Sequence, residues 1–587
     1  MGKSLLSLGP QSAWGLALRT PIIGLALCFI LLARNVSGQS TAQISGVVTD
    51  ATGAVVADAQ VQVTNTDTNA VRTTQTTESG LFNLPSLAIG PYRIEVSKAG
   101  FQTYVQSGIV LEVNSSPTIP VSLQVGSVSQ TVEVQANAAM VETQSNGVGQ
   151  VIQPEQVVDL PLNNRQATQL ITLAGAAVST GGGGTLDYPT TVGFSIAGSQ
   201  SNATNYFLDG SSNLDYRNNG GEPMPFPDAL QEFKVASSAL PADAGGRPGG
   251  VVNAITKSGT NSFHGDVFEF LRNGVMDASS YDFPNANGSL NKPSYDNLKR
   301  NQFGGVIGGP IKRDKLFFFY GFQGTTERQE NPASNRTVPT DAMLKGDFTA
   351  VLPGNPFKCT AFTLNSTVPN PNGGPAQQLT TAPGSNILAP GWLTTPSAQI
   401  DAKIDALYGV QGLITDPCGD ASTYSHVHDN EFQNVVRTDW QRTGNDTLFA
   451  RYFITDYSLL SSEQTPGELL SINGIGRADR VQNVSIGDTH ILSPQMISSF
   501  RINFERTASQ RLGNPNVPNL CALGMTNASC PTPHIFSSLI SEPGNQGWDY
   551  ENAYGLSENF GWQIRLTSCN LVLWGSTSSS TAMGRFS

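Results

Sequence analysis

The stretch Gly249–Phe270, GGVVNAITKSGTNSFHGDVFEF, decides the fold of this chain. Two glycines lead into an apolar run, the polar tetrapeptide Ser258–Asn261 follows, and a second run of mixed apolar and polar residues comes next. Short apolar runs that are bounded by turn residues indicate strands. We therefore predict that a compact domain ends at the tetrapeptide and that a wall of strands surrounding that domain begins after it.

The composition is typical of an exported protein rich in β-structure. Of the 587 residues 13% are charged, against roughly 25% in ordinary soluble domains. Small polar residues and 60 glycines supply the remaining polar character. The formal net charge of −12 argues against nucleic acid as a partner, because binding phosphates requires a basic surface.

The N-terminus predicts export. Arg19 precedes an apolar core that runs from Pro21 to Ala33, and Val36 and Gly38 suit the −3 and −1 positions of a cleavage site. The core is shorter than the roughly 20 residues of a spanning helix, so residues 1–38 are predicted to be a signal peptide, with a membrane anchor helix as the alternative. Because no later segment is long and apolar enough for a helix, a membrane location would require a closed β-barrel.

Six cysteines are present, and Cys28 lies within the predicted signal peptide. The other five cannot all pair with one another; they are Cys359, Cys418, Cys521, Cys530 and Cys569. In an oxidising compartment we expect a local disulfide between Cys521 and Cys530 and a longer one between Cys359 and Cys418. No Cys-x-x-Cys motif supports a zinc or redox site, and no cofactor is predicted.

Residues 41–125 alternate in polarity and carry turn residues at short intervals, which predicts a β-sandwich. The segment resembles the carboxypeptidase regulatory-like domain, which has a prealbumin or carbohydrate-binding-like fold. The residues that carry the resemblance are Gly46, Val48, Asp50, Gly53, Gly80, Phe82, Gly90, Tyr92, Ile94, Val96, Gly100 and Phe101. The resemblance implies a folded accessory module rather than a peptidase, either a spacer or a sugar-binding module.

Residues 150–261 predict a compact α/β domain with short helices near 154–158 and 165–173 and a hairpin that turns at Asp209-Gly210. The domain resembles the plug domain of TonB-dependent outer-membrane receptors, in the Oar-like subgroup. The motifs that carry the resemblance are Leu160–Arg165, Phe207–Gly210, Gln231–Val235, Gly249–Asn253 and Thr256–Asn261. Two departures are Asn164, where that family commonly has glycine, and PADAGG at 241–246.

Residues 126–149 are predicted to be a linker that contains a short extended segment. The segment consists of Gln130, Thr131, Val132, Glu133 and Val134. In receptors of this kind, such a segment pairs edge-on with a strand of the TonB energy-transducing protein, because backbone hydrogen bonds supply the affinity. The alternative interpretation, that these residues are the last strand of the sandwich, stays open.

Seven segments after residue 261 have the length and alternation of membrane-spanning strands. They are 262–272, 300–309, 315–325, 431–441, 447–457, 480–491 and 496–507. Long and short connections alternate between them, as they do in outer-membrane barrels. Within 431–441, one face suits lipid with Phe432, Val436, Thr438 and Trp440.

The opposite face of 431–441 suits a wet lumen with Gln433, Arg437, Asp439 and Gln441. In the next strand, Arg451 lies opposite Leu448, Ala450, Tyr452 and Ile454. The lumen-facing residues are therefore predicted to be Arg437, Asp439, Gln441 and Arg451. Plugged transporters have roughly 22 strands, so seven would form an incomplete barrel over 262–587, and we interpret the chain as truncated or frame-shifted near Leu566.

An enzyme is not predicted. The nearest approach to a metal site is His426, His428, Asp429 and Glu431, which lie at the end of a long connection and are interpreted as a solvated loop. No nucleophile elbow, phosphate loop or zinc-protease motif is present. A secreted metal hydrolase remains the hypothesis that these histidines would support.

The predicted fold is mainly β: signal peptide, β-sandwich, α/β plug and partial antiparallel transmembrane barrel. The resemblance implies a receptor in the outer membrane that takes up an unidentified ligand, with carbohydrate or oligosaccharide as the expected class. Its partners would be outer-membrane lipid and a TonB-type energy-transducing complex, with the sandwich and the plug entrance on the periplasmic side. The alternative is a surface adhesin or structural protein built of β-modules without transport.

Overall fold

A computed structural model gives the fold of the protein. The described residues are 42–128, 131–135, 148–182, 188, 192–215, 220–238, 247–277, 297–337, 340–345, 347, 349–350, 367–368, 377–378, 414, 417–459, 476–493, 496–512, 561–573 and 582–586. The predicted signal peptide, Gln130, Cys359, Cys521 and Cys530 lie outside them. Cys418 is disulfide-bonded.

The N-terminal part is a sandwich of two sheets. Its strands are β1 (Ala42–Asp50), β2 (Gln60–Asn65), β3 (Val71–Gln75), β4 (Leu81–Leu87), β5 (Gly90–Ser97), β6 (Thr103–Leu111), β7 (Thr118–Leu123) and β8 (Thr131–Gln135). One sheet has the order β4-β1-β7 and the other the order β3-β2-β5-β6-β8. Alternate residues such as Ile44, Val61 and Ile94 are fully buried between the sheets, which is why the polarity of the sequence alternates.

The last strand of the sandwich contains most of the segment that was predicted to contact an energy-transducing partner. β8 pairs in parallel with β6, and Val132 lies opposite Tyr104. It is an edge strand of its sheet, so one of its two sides is hydrogen-bonded within the protein.

The α/β domain that was predicted to be a plug follows the sandwich, and we refer to it as the plug. Its strands are β9 (Val148–Ile152), β10 (Ala177–Gly182), β11 (Val192–Ile196), β12 (Asn205–Leu208), β13 (Ser211–Ser212), β14 (Leu214–Asp215), β15 (Gly220–Gly221), β16 (Leu230–Ser238) and β17 (Val251–Thr256). Helix α1 (Pro154–Asp159) and the 3-10 helices Asn163–Arg165, Ala167–Leu173, Ser201–Ala203 and Pro227–Ala229 connect them. The central sheet has the order β13-β12-β17-β16-β9, and all of β17 is buried.

Among the described residues, the wall is one antiparallel sheet of nine strands in chain order. They are β18 (His264–Asn273), β19 (Lys299–Lys312), β20 (Leu316–Thr337), β23 (Asp420–Thr443), β24 (Asp446–Leu459), β25 (Gly476–Ser493), β26 (Met496–Leu512), β27 (Gly561–Leu573) and β28 (Ala582–Phe586). A 3-10 helix (Gly274–Met276), helix α2 (Asp341–Leu344) and the two-residue strands β21 (Thr367–Val368) and β22 (Gln377–Gln378) lie in the long connections.

The seven predicted wall strands correspond to β18–β20 and β23–β26, and two more strands follow. β27 pairs with β26 and β28 pairs with β27, so the sheet continues past the seven predicted strands. Backbone hydrogen bonding along the edge of β26 extends the sheet even though the sequence signal is weak.

The two faces of the wall strands differ as their alternation predicts. Along β23, Phe432, Val436 and Trp440 are exposed, whereas Gln433 and Val435 are buried. Along β24, Arg451, Phe453 and Thr455 are buried and the residues between them are half-buried. Within the described part of the chain, no helix has the length and apolar character needed to cross a membrane.

The tetrapeptide Ser258–Asn261 joins plug to wall, because β17 ends at Thr256 and β18 begins at His264. Its glycine is required by close approach rather than by an unusual backbone angle. A Cβ at Gly259 would meet the carbonyl oxygens of Gly309 and Phe318 in the neighbouring wall strands. The elbow therefore lies tightly against the wall, and a side chain at this position would force the two apart.

Candidate functional site: the interface between plug and wall

Asp209 forms the centre of the interface. It follows β12 in the turn Asp209-Gly210, where its φ of 51° is one that aspartate tolerates better than most residues. Its Oδ1 accepts hydrogen bonds from the backbone N–H of Thr256 at 2.9 Å and from Nη1 of Arg437 at 2.9 Å. Its Oδ2 lies 2.9 Å from Nε of Arg451. One plug carboxylate thus contacts guanidinium groups from two neighbouring wall strands.

Two of the four residues that were predicted to face the lumen, Arg437 and Arg451, contact this carboxylate, and a third, Asp439, joins the cluster through Arg437. Arg437 also pairs with Asp439, with Nη2 2.8 Å from Oδ1, and donates to the carbonyl oxygen of Thr256 at 3.1 Å. Arg451 donates from Nη2 to Oδ1 of Asn483 at 2.9 Å. Because Arg451 is 1% exposed and Asp209 3% exposed, neither charge is solvated, and each depends on the other for compensation.

The fourth residue, Gln441, contacts the sandwich. Its Nε2 lies 3.3 Å from Oγ1 of Thr68, in the turn between β2 and β3. Gln441 is near the end of β23, next to the short connection at 444–445, so this end of the wall strand lies against the sandwich.

A second buried arginine, Arg165, connects the plug to β18 and β20. It pairs with Asp228 of the plug, and its Nε donates to Oε1 of Gln323 in the wall at 3.3 Å. Its guanidinium carbon lies 4.7 Å from the ring centroid of Phe268 and 4.1 Å from that of Phe270, a cation–π arrangement. Burial lowers the pKa of the Arg165 guanidinium, and the nearby Asp228 carboxylate opposes that shift.

The motif Leu160–Arg165 is held in its conformation by hydrogen bonds to the wall. Asn164, which stands where related plugs commonly have glycine, has φ 59° and ψ 14°, and asparagine tolerates this left-handed conformation. Its carbonyl oxygen accepts from Nε2 of Gln302 at 2.9 Å, and Oδ1 of Asn163 accepts from Arg300 at 3.3 Å. Asparagine in place of glycine at 164 therefore keeps the left-handed backbone conformation of the loop 160–165.

Tyr188 joins the plug to β23 and β24. Its hydroxyl lies 2.6 Å from Oγ1 of Thr455 and donates to Oε1 of Glu431 at 3.2 Å, and its ring meets Tyr457 edge-on at 5.8 Å. Burial and the adjacent Glu431 carboxylate raise the pKa of Tyr188 well above its ordinary value, so this phenol stays a hydrogen-bond donor.

Hydrogen bonds extend the interface to β25 and β26. The hydroxyls of Ser211 and Ser485 are 2.8 Å apart, and Nδ2 of Asn503 donates to the carbonyl oxygen of Ser212 at 3.2 Å. A small apolar contact is also present, in which Phe226 and Ala229 of the plug pack against four wall side chains, Val306, Phe319, Val435 and Phe453. In the described part of the chain the interface is thus mainly polar, with small apolar clusters around Phe226 and around Tyr188.

The sequence indicated the wall half of this interface and missed the plug half. Asp209, Arg165 and Asn164 were part of motifs that carried a family resemblance, but no local pattern assigned them a partner. Across the described ranges, no three side chains of His, Cys, Asp or Glu come together as metal ligands.

Comparisons with known proteins match this architecture in two parts. A family model described as outer membrane beta barrel domain matches residues 255–565, and one described as carboxypeptidase regulatory-like domain matches residues 43–124. The TonB-dependent transporter Oar of Myxococcus xanthus is 26% identical over 323 residues, which are 54% of this chain and 30% of that protein. The chain therefore spans less than a third of this curated relative.

Among solved structures, the outer membrane transporter YddB from Escherichia coli aligns with a TM-score of 0.39 and 11% identity, over 71% of this chain and 45% of that one. A ferric enterobactin receptor (PfeA) mutant from Pseudomonas aeruginosa, in complex with enterobactin, aligns with a TM-score of 0.37 and 14% identity, over 72% of this chain and 46% of that one.

Proposed function

Because the chain belongs to the family of the outer membrane beta barrel domain, we propose that it acts as an energy-coupled receptor that takes up an external ligand past its plug. The chain is located in the outer membrane. The observation that carries the proposal is the buried ion pair between Asp209 of the plug and Arg451 of the wall.

This interface is suited to a plug that stays in place without an applied force and moves when the energy-transducing partner pulls on it. Buried ion pairs fix the position of a domain strongly, because separating the partners in a dry environment leaves uncompensated charges. Once water enters, the same charges are solvated, whereas an apolar interface of equal size would resist hydration. A polar plug surface can therefore be displaced into a wet lumen without exposing a large hydrophobic area.

The energy source is proposed to be a TonB-type complex that binds the segment formed by Gln130, Thr131, Val132, Glu133 and Val134. Support comes from the position of β8 at the edge of its sheet, because an edge strand offers backbone groups to a further strand. The segment is followed within a short distance by β9, an edge strand of the plug sheet, so a pull on the segment acts on the plug.

The proposed ligand class is an oligosaccharide, and its support is the resemblance of the sandwich to carbohydrate-binding-like folds. The sandwich contacts Asp314 and Gln441, which lie at the ends of wall strands that are joined by the short connections. Since long connections face outward in barrels of this kind, the sandwich is proposed to lie on the periplasmic side, and the external ligand would meet the long connections first.

Site-directed cross-linking in cells tests the coupling. A cysteine at Val134 should form a disulfide with a cysteine scanned along the binding strand of the TonB-type protein, and more so when a mixed oligosaccharide preparation is supplied. The matched control is Gln124→Cys, at an exposed position just after β7 in the other sheet of the same module. Equal cross-linking at both positions would refute the proposed partner.

An uptake assay separates the receptor from the alternative of a surface adhesin. A receptor requires uptake that depends on the energised partner, whereas an adhesin would retain binding after the partner is deleted. Binding of labelled oligosaccharide to cells with no energy-dependent accumulation would therefore favour the adhesin.

A further inference from the structure

The sandwich contacts the plug through the turn between β6 and β7. The backbone N–H of Val113 donates to Oε2 of Glu232 at 2.6 Å, and the carbonyl oxygen of Val113 accepts from Nζ of Lys234 at 3.1 Å. Nearby, Nε2 of Gln153 donates to Oε1 of Glu112 at 2.5 Å. Two side chains from one face of β16 thus hold both backbone groups of a single residue, and Val113 is fully buried.

A different turn of the sandwich, between β2 and β3, contacts the wall. Nδ2 of Asn69 donates to Oδ1 of Asp314 at 2.9 Å, in the short connection between β19 and β20. The same Asp314 oxygen accepts from Nδ2 of Asn261 at 2.8 Å, and the backbone N–H of Asn261 donates to the carbonyl oxygen of Asp67 at 2.9 Å. The turn, the wall and the elbow between plug and wall therefore meet at one point.

We propose that the sandwich is a clasp: it binds the plug at one turn and the wall at another, and both turns must release before the plug can leave its resting position. A module that contacted the plug alone would move with it, and one that contacted the wall alone would leave the plug unrestrained. Contact with both, from one rigid sandwich, opposes any relative displacement of plug and wall.

The chemistry of the two contacts fits a clasp that opens. Both consist of a few hydrogen bonds to turn residues, several of them exposed, so water can replace the lost partners when the turns separate. The sandwich has its own closed core, so it stays folded when it undocks. The clasp is therefore expected to open as a rigid body rather than by unfolding.

A pull on β8 would also act directly on the clasp. β8 is hydrogen-bonded to β6, and β6 leads directly into the turn that carries Val113. A pull on β8 would reach that turn before it reached the plug through the linker. This role in coupling rests on the proposed function, whereas the restraint of the plug by the clasp does not depend on it.

Hydrogen–deuterium exchange on the full chain in detergent or membrane tests the clasp without any partner or ligand. The backbone N–H groups of Val113 and Asn261 are direct reporters, because their acceptors belong to another part of the molecule. Exchange of β9 reports on the plug. Failure of energy coupling leaves this measurement unaffected, so the two proposals can fail separately.

The release variant combines Asn69→Asp with Lys234→Met. Aspartate at 69 tolerates the positive φ of that position and puts a carboxylate against Asp314, and methionine at 234 removes the donor to Val113 while it keeps the length of the side chain. The matched control combines Gln60→Glu, which adds a charge at an exposed position of β2, with Lys98→Met, which removes a donor to a carbonyl oxygen within the sandwich.

In the release variant we expect severalfold faster exchange at Val113, Asn261 and β9, with β1 and β7 unchanged; the control should match the unaltered chain. Fast exchange at Val113 and Asn261 in the unaltered chain would overturn the contacts. In the release variant, faster exchange at Val113 and Asn261 with β9 unchanged would overturn the restraint.

If the release variant unfolds, cysteines at Asn69 and Asp314 joined by a short bis-maleimide provide the reverse test. That cross-link must slow exchange of β9, and unchanged exchange overturns the clasp.

Discussion

Arg451 of the wall and Asp209 of the plug form an ion pair from which water is excluded, with Nε 2.9 Å from Oδ2. Arg437 approaches the other carboxylate oxygen, so two positive groups share one negative group, and Asp439 supplies a second carboxylate to Arg437. Removal of Asp209 therefore affects both arginines, whereas removal of either arginine leaves Asp209 with a partner. This cluster therefore depends most on Asp209, the plug carboxylate that both arginines share.

Replacing Asp209 should loosen the plug more than any other substitution in this cluster. Asp209→Asn keeps the shape and the left-handed backbone but removes the charge, and we expect a loss of about 3–5 kcal/mol in the free energy of unfolding, the cost of breaking a buried pair. Urea unfolding in detergent, followed by protease release of the plug, measures it. Asp58→Asn makes the same change at an exposed residue with a positive φ and should shift stability by less than about 0.5 kcal/mol.

Substituting Arg165 by lysine should destabilise the plug although the charge is kept. An ammonium group cannot stack on Phe268 and Phe270 while it also reaches both Asp228 and Gln323, so we expect a loss of about 2 kcal/mol. The same unfolding assay applies, with Arg93→Lys, at an exposed arginine of the sandwich, as control. Equal stability of the two variants would show that the planar guanidinium is dispensable.

The folded state should lose stability as the pH rises, because Glu232, which accepts from Val113, is buried and becomes ionised. Burial raises the pKa of Glu232 from 4.5 to about 7, the neighbouring Glu112 raises it further, and the hydrogen bond from Val113 and the charge of Lys234 oppose the shift. The folded state thus binds more protons than the unfolded state between these values, so this contribution is complete below pH 4.5 and is lost as the pH rises through 7.

The expected loss between pH 5 and pH 8 is on the order of 2 kcal/mol in the free energy of unfolding. Glu232→Gln retains an acceptor for Val113 and should remove this part of the pH dependence, whereas Glu78→Gln, at an exposed position, should leave it intact. Parallel pH profiles of Glu232→Gln and the unaltered chain would contradict the assignment.

Local patterns predicted those features that depend on local geometry. A strand has a repeat of two residues, so the sequence 431–441 was sufficient to separate Phe432 and Trp440 from Gln433 and Arg437. The turn at Asp209-Gly210 followed from residues that tolerate a positive φ. The family resemblance pointed to the plug motifs but left their partners unassigned.

The remaining features depend on contacts between distant parts of the chain. Nothing near Asp209 indicates that Arg437 and Arg451 will meet it, and nothing within Thr131–Gln135 indicates a parallel pairing with β6. Likewise, Asn261 was recognised as the end of the elbow, yet its contacts with Asp67 and Asp314 exist only once sandwich and wall are both in place.

The orientation of β23 in the bilayer is open to direct measurement. Spin labels on Val436→Cys and Gln433→Cys should differ, because Val436 is 41% exposed on the outer face and Gln433 is 6% exposed on the inner face. At Val436 we expect collisions with oxygen, which partitions into lipid, to exceed those with a water-soluble nickel complex. At Gln433 neither reagent should collide freely, because the plug excludes both. A label at 436 that collides chiefly with the nickel complex would place this face in water and refute a lipid-facing wall.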